Sequence, residues 1–132
     1  MQLYYASGTI SVAVAIALEE AGLDYEAIKI DFASKEQTSP AYAQINPKSR
    51  VPALAVDGGI LTETGALLDY IADIAPDADL RPTDPVLLAR MREVMYYLAA
   101  TMHVNHAHKL RGSRWASKTS SYKDMQAKVP ET

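Results

Sequence analysis

Two stretches of this chain are the most informative: Asn46-Pro47-Lys48-Ser49-Arg50-Val51-Pro52-Ala53-Leu54 and, shortly after it, Leu61-Thr62-Glu63-Thr64. The first places a Val-Pro pair directly before an apolar run, and the second places an acid and a hydroxyl where a helix is predicted to begin. Backbone N–H groups in the first turn of a helix lack partners within the helix and suit a carboxylate. The second stretch therefore predicts a helix start that can hold a carboxylate group.

The residues before these stretches predict strand, helix and strand in turn. Residues 3–5 form a short apolar strand candidate, and residues 12–18, apolar on every side, predict a helix buried against a sheet. Ser11 is the expected cap of that helix, and Gly22 is its expected end. Apolar and charged side chains alternate over residues 28–32, which predicts a strand with one wet face.

The residues that follow predict a helix, a hairpin and a third helix. Ser39-Pro40 opens a short helix that ends at Ile45, before Asn46-Pro47. Asp57-Gly58-Gly59 between two apolar runs predicts a β-hairpin, and helical spacing of apolar residues continues from there to Pro76. The order βαβαββα indicates an α/β unit with its first two strands parallel and its last two antiparallel.

The rest of the chain predicts helices only. We expect a first domain over residues 1–76, a linker rich in proline and aspartate over 77–84, and an all-α part over 85–132. A helix from about Asp84 to Lys109, ended by Gly112, carries a broad apolar stripe, and a weaker helix follows over about 120–129. The stripe consists of Leu87, Leu88, Met91, Val94, Met95, Leu98 and Met102.

Composition restricts the possible functions. A net charge of -3 in 132 residues argues against nucleic acid or an anionic membrane as a partner, and no apolar run approaches the ~18 residues that span a bilayer. The chain contains no cysteine, which excludes disulfides, thiolate metal sites and a protein thiol nucleophile. A cytoplasmic protein is the plain expectation.

The two stretches quoted first resemble the glutathione-binding half of the glutathione S-transferases. The resemblance is dense up to about Ala75 and looser through Arg111, and the segments 1–5, 7–11 and 16–25 are most similar to the bacterial beta class. It implies a thioredoxin-like first domain followed by an all-α domain with more helices than residues 85–132 contain. We therefore expect either a fragment, a truncated gene product, or an apolar surface that another subunit covers.

The resemblance also implies a glutathione site. A cis Val51-Pro52 bond would offer the backbone of Val51 to the cysteinyl part of glutathione. Glu63 and Thr64 would hold the γ-glutamyl end, against the alternative that Glu63 only caps a helix. Lys35 matches a beta-class lysine that meets the glycyl carboxylate, although a loop lysine is usually just solvated.

Thiol activation is harder to predict, because Ile10 stands where the beta class carries its cysteine. Ser11 is the first candidate for stabilising the glutathione thiolate, Thr9 the second and Tyr5 the third, while an N-cap, a turn residue and a core residue are their structural alternatives. His103 falls on the position of the beta-class active-site histidine. No metal ligand set is expected from the chain's histidines.

The function that these features indicate is a bacterial glutathione transferase, a detoxifying homodimer that conjugates glutathione to an electrophilic small molecule. One rival is a glutathione-binding module with little transferase activity, and the other is a structural, transferase-like interaction domain. The sequence does not identify the electrophile.

Overall fold

A mixed four-stranded sheet organises the first part of the chain. In the computed structural model, which describes residues 1–132, its strands are β1 (Gln2–Tyr5), β2 (Glu26–Lys29), β3 (Ala53–Val56) and β4 (Gly59–Thr62), in the order β2-β1-β3-β4. β1 and β2 are parallel, while β3 is antiparallel to both β1 and β4. The predicted parallel pair and hairpin are confirmed.

Three helices accompany this sheet: α1 (Ser11–Glu20), α2 (Pro40–Ile45) and α3 (Thr64–Ile74). α1 and α3 contact each other, and their apolar faces meet the two central strands in one core. Burial of these aliphatic side chains is the main stabilising contribution to the unit. The fully buried members are Leu3, Val14, Leu18, Leu54, Leu67 and Ile71.

Helix α1 departs from the prediction at its start. It begins at Ser11, and the residue at its N-cap position is Ile10, so the expectation that Ser11 caps the helix is wrong. The predicted burial against the sheet is confirmed at Val14 and Leu18, while the outer face of the helix exposes 39% of Val12 and 54% of Ile16. The helix ends as predicted. Gly22 has a φ of 63°, which glycine adopts without steric cost, and the N–H groups of Gly22 and Leu23 donate to carbonyls of the last helical turn.

The strand directions define two edges of the sheet. β1, β2 and β4 end, and β3 begins, at what we call the C-terminal edge; the β3–β4 turn lies at the other, the hairpin edge. The turn before α1, the loop after β2, the turn before β3 and the start of α3 therefore all lie at the C-terminal edge. Phe32, predicted to belong to β2, lies beyond the strand in this loop and is exposed.

The structure divides into two compact units, Met1–Pro82 and Thr83–Thr132. The second contains α4 (Pro85–Tyr97), α5 (His103–Arg111) and α6 (Thr119–Lys128). A π-helical stretch, Leu98–Met102, joins α4 to α5 within the region predicted as a single α-helix. Apolar spacing does not reveal such a turn, because one extra residue barely alters the pattern.

The second unit has little interior of its own. Ala107 and Gly112 are its buried residues, and α6 packs against α5 at Gly112, where an added Cβ would lie 2.9 Å from Met125 Cε. The weaker helix predicted near the end of the chain is confirmed as α6. No helix in the structure combines the length and the apolar character needed to cross a membrane.

Candidate functional site

The turn before β3 lies beside the start of α3. The Val51–Pro52 bond is cis, as predicted, and Pro52 is buried. Ala53 pairs with Thr62 across the hairpin, so the residue after the cis bond is opposite the residue before Glu63. The two stretches singled out from the sequence therefore come together at the C-terminal edge.

Two buried side chains hold the loop that leads into the cis bond. Tyr42 donates its hydroxyl to the Arg50 carbonyl at 2.8 Å, and Asn46 Nδ2 donates to the same oxygen at 2.7 Å. The Lys48 N–H donates to Asn46 Oδ1 at 3.1 Å, which closes an Asx turn. Tyr42 and Asn46 are each 2% exposed, so the backbone before Val51 is fixed from the interior.

The sequence analysis missed this role for both residues. Asn46 was interpreted only as the end of α2, and Tyr42 only as one of its helical residues. A signal was available in Asn46-Pro47, because an asparagine before a turn frequently bonds the backbone two residues on. Burial of Tyr42 raises the pKa of its hydroxyl to about 12, although the nearby Asn46 side chain acts in the opposite direction. The hydroxyl therefore remains a donor at neutral pH.

Glu63 has an unusual backbone conformation. Its φ of 73° and ψ of 116° lie outside the right-handed region and outside the compact left-handed one. Such a conformation costs on the order of 1–3 kcal/mol in a residue with a side chain. Glu63 occupies the N-cap position of α3, yet its side chain makes no capping hydrogen bond. The Glu63 side chain therefore does not cap α3, and its role toward a ligand stays a prediction.

The Glu63 carboxylate is exposed and has one partner. Lys48 Nζ lies 2.7 Å from Glu63 Oε1 and donates also to Thr62 Oγ1 at 2.9 Å. Thr64, the first residue of α3, is half-buried. The backbone N–H groups of the first turn of α3 point toward the same corner, since they have no carbonyl partner within the helix. The corner thus offers a carboxylate next to a positive helix end.

The turn before α1 contains a closed group of hydrogen bonds. The Ala6 N–H donates to Ser11 Oγ at 3.1 Å, and Thr9 Oγ1 donates to the Ala6 carbonyl at 2.8 Å. The two hydroxyl oxygens are 2.6 Å apart, and Ser11 Oγ also lies 3.2 Å from the Ala6 carbonyl. Both hydroxyl hydrogens therefore have acceptors within the turn.

Ser11 is consequently poorly placed as the first candidate for thiolate contact. It is 0% exposed, whereas Thr9 is only partly buried. The Ser11 hydroxyl binds the end of β1 to the start of α1. Tyr5, the third candidate, packs its ring against the core cluster, as its structural alternative predicted.

Lys35 lies in the loop after β2, with an exposed side chain and a left-handed backbone at φ 61°. All the site residues predicted in the first unit are therefore at or next to the C-terminal edge. They are Tyr5, Thr9, Ser11, Lys35, Val51, Pro52, Glu63 and Thr64.

Comparison with known families identifies the family of the first unit. The sequence model described as "Glutathione S-transferase, N-terminal domain" matches residues 1–73, which is more than half of the chain. The chain belongs to the glutathione S-transferase family. Its mixed sheet and flanking helices are the thioredoxin-like fold of that family's N-terminal domain.

Curated relatives include several family members. The glutathione S-transferase GstA of Escherichia coli O157:H7 is 36% identical over 106 residues, covering 78% of this chain and 53% of that protein. A maleylacetoacetate isomerase of Pseudomonas aeruginosa is 37% identical over 110 residues, covering 80% and 52%. The chain thus spans about half the length of the curated relatives it matches.

Solved structures are similar over nearly the whole chain. A glutathione transferase homolog from Sulfitobacter, crystallised with bound glutathione, has 65% identity and a TM-score of 0.94, and the match covers 98% of this chain and 63% of that one. A bacterial beta-class glutathione S-transferase of Sphingomonas chungbukensis has 33% identity and a TM-score of 0.78, covering 99% and 65%.

His103, the remaining site residue that the family resemblance predicts, lies in the second unit. His103 is exposed and is the first residue of α5, directly after the π-helical stretch. His108 stacks on Trp115 with ring centroids 4.2 Å apart, and its Nδ1 lies 2.9 Å from the Val104 carbonyl. No group of three or more His, Asp or Glu side chains in the structure is placed to hold a metal ion.

Proposed function

We propose that this chain binds glutathione and activates its thiol for attack on an electrophilic small molecule, as a cytoplasmic glutathione transferase. The observation that carries the proposal concerns Glu63. Its carboxylate is exposed and makes no capping hydrogen bond, and its backbone has a costly conformation beside the cis turn. Strained backbone conformations cluster at ligand-binding and active sites. The glutathione in the crystal structure of the 65% identical Sulfitobacter homolog supports the same ligand here.

The proposed arrangement gives each part of the tripeptide at least one protein group. Glu63 receives the α-ammonium of the γ-glutamyl end, and Thr64 with the first N–H groups of α3 receives its α-carboxylate. The backbone N–H and carbonyl of Val51 pair with the cysteinyl residue. Lys35, on the loop after β2 at the same edge, receives the glycyl carboxylate.

Activation of the thiol requires a lower thiol pKa, and each unit of lowering corresponds to about 1.4 kcal/mol. The start of α1 supplies the positive end of a helix dipole. Because the Ser11 hydroxyl is buried, we assign the hydroxyl contribution to Thr9, which is partly exposed and whose hydroxyl would exchange the Ala6 carbonyl for the thiolate as its acceptor. The role of His103, which lies in the second unit, stays a prediction.

Calorimetric titration with glutathione tests the proposal. Glu63→Ala should weaken binding by about 1.5–3 kcal/mol, because it removes a charge-assisted hydrogen bond to the ligand ammonium. Glu20→Ala, which removes an exposed carboxylate at the far end of α1, is the matched control. Equal affinities for the two variants, with both folded, would leave Glu63 without a ligand role.

A binding module with little transferase activity is the second candidate. The closed hydrogen-bond group around Ser11 favours it, since it leaves few free donors for a thiolate. Immobilised glutathione retains both candidates. A dye-conjugation assay separates them, because only the transferase forms the glutathione conjugate. A structural interaction domain, the third candidate, would not be retained at all.

We also propose that the chain is a homodimer. α4 and the following π-helical stretch expose large apolar side chains, which favour association in water. Sedimentation equilibrium at tens of micromolar should show a dimer that Val94→Asp weakens and Ala127→Asp, on α6, does not. A monomeric parent protein would contradict the proposal. The exposed side chains include Val86, Leu87, Val94, Leu98 and Met102.

A further inference from the structure

Lys48 links the loop before the cis bond to the start of α3. Its Nζ contacts Glu63 Oε1 at 2.7 Å and Thr62 Oγ1 at 2.9 Å, so one ammonium spans the end of β4 and the residue after it. The backbone of Lys48 is held in turn by Asn46 Oδ1 at 3.1 Å. The lysine therefore projects from a loop that is itself fixed from the interior.

Stability does not account for this ion pair. The Lys48 and Glu63 side chains are 51% and 68% exposed. Exposed pairs of this kind contribute little to folding, because water screens the charges and both side chains lose rotamer freedom. The backbone conformation of Glu63 is a cost in the opposite direction. The pair is better explained by its effect on the orientation of the Glu63 carboxylate.

Lys48 fixes the direction in which Glu63 presents its free oxygen. Oε1 accepts from Lys48, while Oε2 has no hydrogen-bond partner in the structure. An incoming ammonium can bind Oε2 without displacing Lys48. The ligand ammonium and Lys48 would share one carboxylate through different oxygens, and the repulsion between the two cations limits the gain in affinity. The ordering of Glu63 is the effect that we assign to Lys48.

We infer that Lys48 is a positioning residue for recognition of the γ-glutamyl α-amine: it orders the Glu63 carboxylate before the ligand arrives. The inference rests on the proposed glutathione-binding function and adds to it a residue that recognises no part of the ligand by itself. It predicts that the effect of Lys48 on affinity depends on Glu63 and on the ligand's α-amino group.

A double-mutant cycle measured by calorimetry tests this inference. Lys48→Met should weaken glutathione binding about fivefold. The factor is modest because the substitution disorders the Glu63 carboxylate but does not remove it. Lys48→Arg should restore most of the affinity. In the Glu63→Gln background Lys48→Met should have no further effect. A glutathione analogue lacking both the α-amino and the α-carboxyl group should bind the parent protein and Lys48→Met equally.

Each contrary result has a separate meaning. A parent protein that does not bind glutathione removes the proposed function and this inference together. Binding by the parent that Lys48→Met leaves unchanged overturns the inference alone. An equal loss in the Glu63→Gln background would mean that Lys48 contacts the ligand directly, which also overturns it. A lowered melting temperature for both Lys48→Met and Lys48→Arg would assign the lysine to folding instead.

Discussion

The two edges of the sheet in the first unit are built on different principles. At the hairpin edge, the turns before β2 and between β3 and β4 take positive φ at glycines, Gly22 and Gly59, where no side chain is strained. Asp79, beyond the end of α3, is the one residue with a side chain that has positive φ away from the C-terminal edge. At the C-terminal edge, Gly8 is joined by three residues with side chains that also have positive φ. These are Lys35, Ser49 and Glu63.

Buried polar groups show the same asymmetry. Ser11 and Asn46 are the buried polar residues of the structure, and both lie at the C-terminal edge. Burying such groups is costly unless each one finds hydrogen-bond partners, and both do here. The turns of the hairpin edge thus use backbone conformations of low free energy. The C-terminal edge contains strained residues and buried polar groups, and we interpret these costs as the consequence of positioning groups for a ligand.

The largest effect that this comparison predicts is at Asn46. Asn46→Ala should lower the free energy of unfolding by about 3 kcal/mol, because it removes two side-chain hydrogen bonds from a buried site. Asp57→Ala, at the exposed hairpin turn, should change it by less than about 0.5 kcal/mol. Urea denaturation of both variants measures the difference. Similar values at the two edges would contradict the asymmetry.

Tyr42 should make the C-terminal edge sensitive to alkali. The hydroxyl has its ordinary pKa of 10.0 in the unfolded chain and a pKa of about 12 in the folded one. The unfolded chain therefore loses its proton first as the pH rises. Stability from this group is fully present below about pH 10 and is lost between about pH 10 and 12, by up to about 3 kcal/mol.

Denaturation curves across that pH range test the tyrosine. Tyr42→Phe should be less stable than the parent at neutral pH, by about 1 kcal/mol for the lost bond to the Arg50 carbonyl. It should decline less steeply above about pH 10. Tyr96→Phe, which removes an exposed tyrosine, is the matched control. Parallel decline in Tyr42→Phe and the parent would exclude Tyr42 as the titrating group.

Ser11 should affect folding more than chemistry. Ser11→Ala leaves the buried Ala6 N–H without its partner and should cost about 2 kcal/mol of stability. Thr9→Ala, at a partly exposed position, should raise the thiol pKa of bound glutathione more than Ser11→Ala does. Ultraviolet titration of the bound thiolate measures that order. The reverse order would return the thiolate-binding role to Ser11.

The sequence predicted the first unit well because its elements are marked by local chemistry. Asp57-Gly58-Gly59 indicates a hairpin, Ser39-Pro40 a helix start and Gly22 a helix end, and all three are confirmed. Periodicity could not show that α1 is buried on one side only, because apolar residues on every side look the same in either case. The π-helical stretch escaped prediction because it leaves no signal in composition or spacing.

The sequence predicted the position of the candidate site better than the hydrogen bonds and ion pairs within it. The cis turn and Glu63 were found through motifs, and topology brings them together at one edge. Lys48 was missed because its partner lies 15 residues further along the chain, a separation that no local pattern encodes. Ser11 was ranked first because a hydroxyl near a helix start suits a thiolate, and only its burial shows that the hydroxyl is already bonded.

The smallest predicted effect tests the cost at Glu63 directly. Glu63→Gly should stabilise the protein by about 1 kcal/mol, because relief of the strained backbone exceeds the added freedom of glycine in the unfolded chain. Gly59→Ala at the hairpin edge should do the opposite, since φ is 125° there. Both variants are compared by thermal and urea denaturation, and Glu63→Gly should at the same time lose glutathione affinity. A variant that gains stability while losing the ligand would show that this edge trades folding free energy for binding. Destabilisation by Glu63→Gly would mean instead that the surrounding loop, not a ligand, maintains the conformation of Glu63.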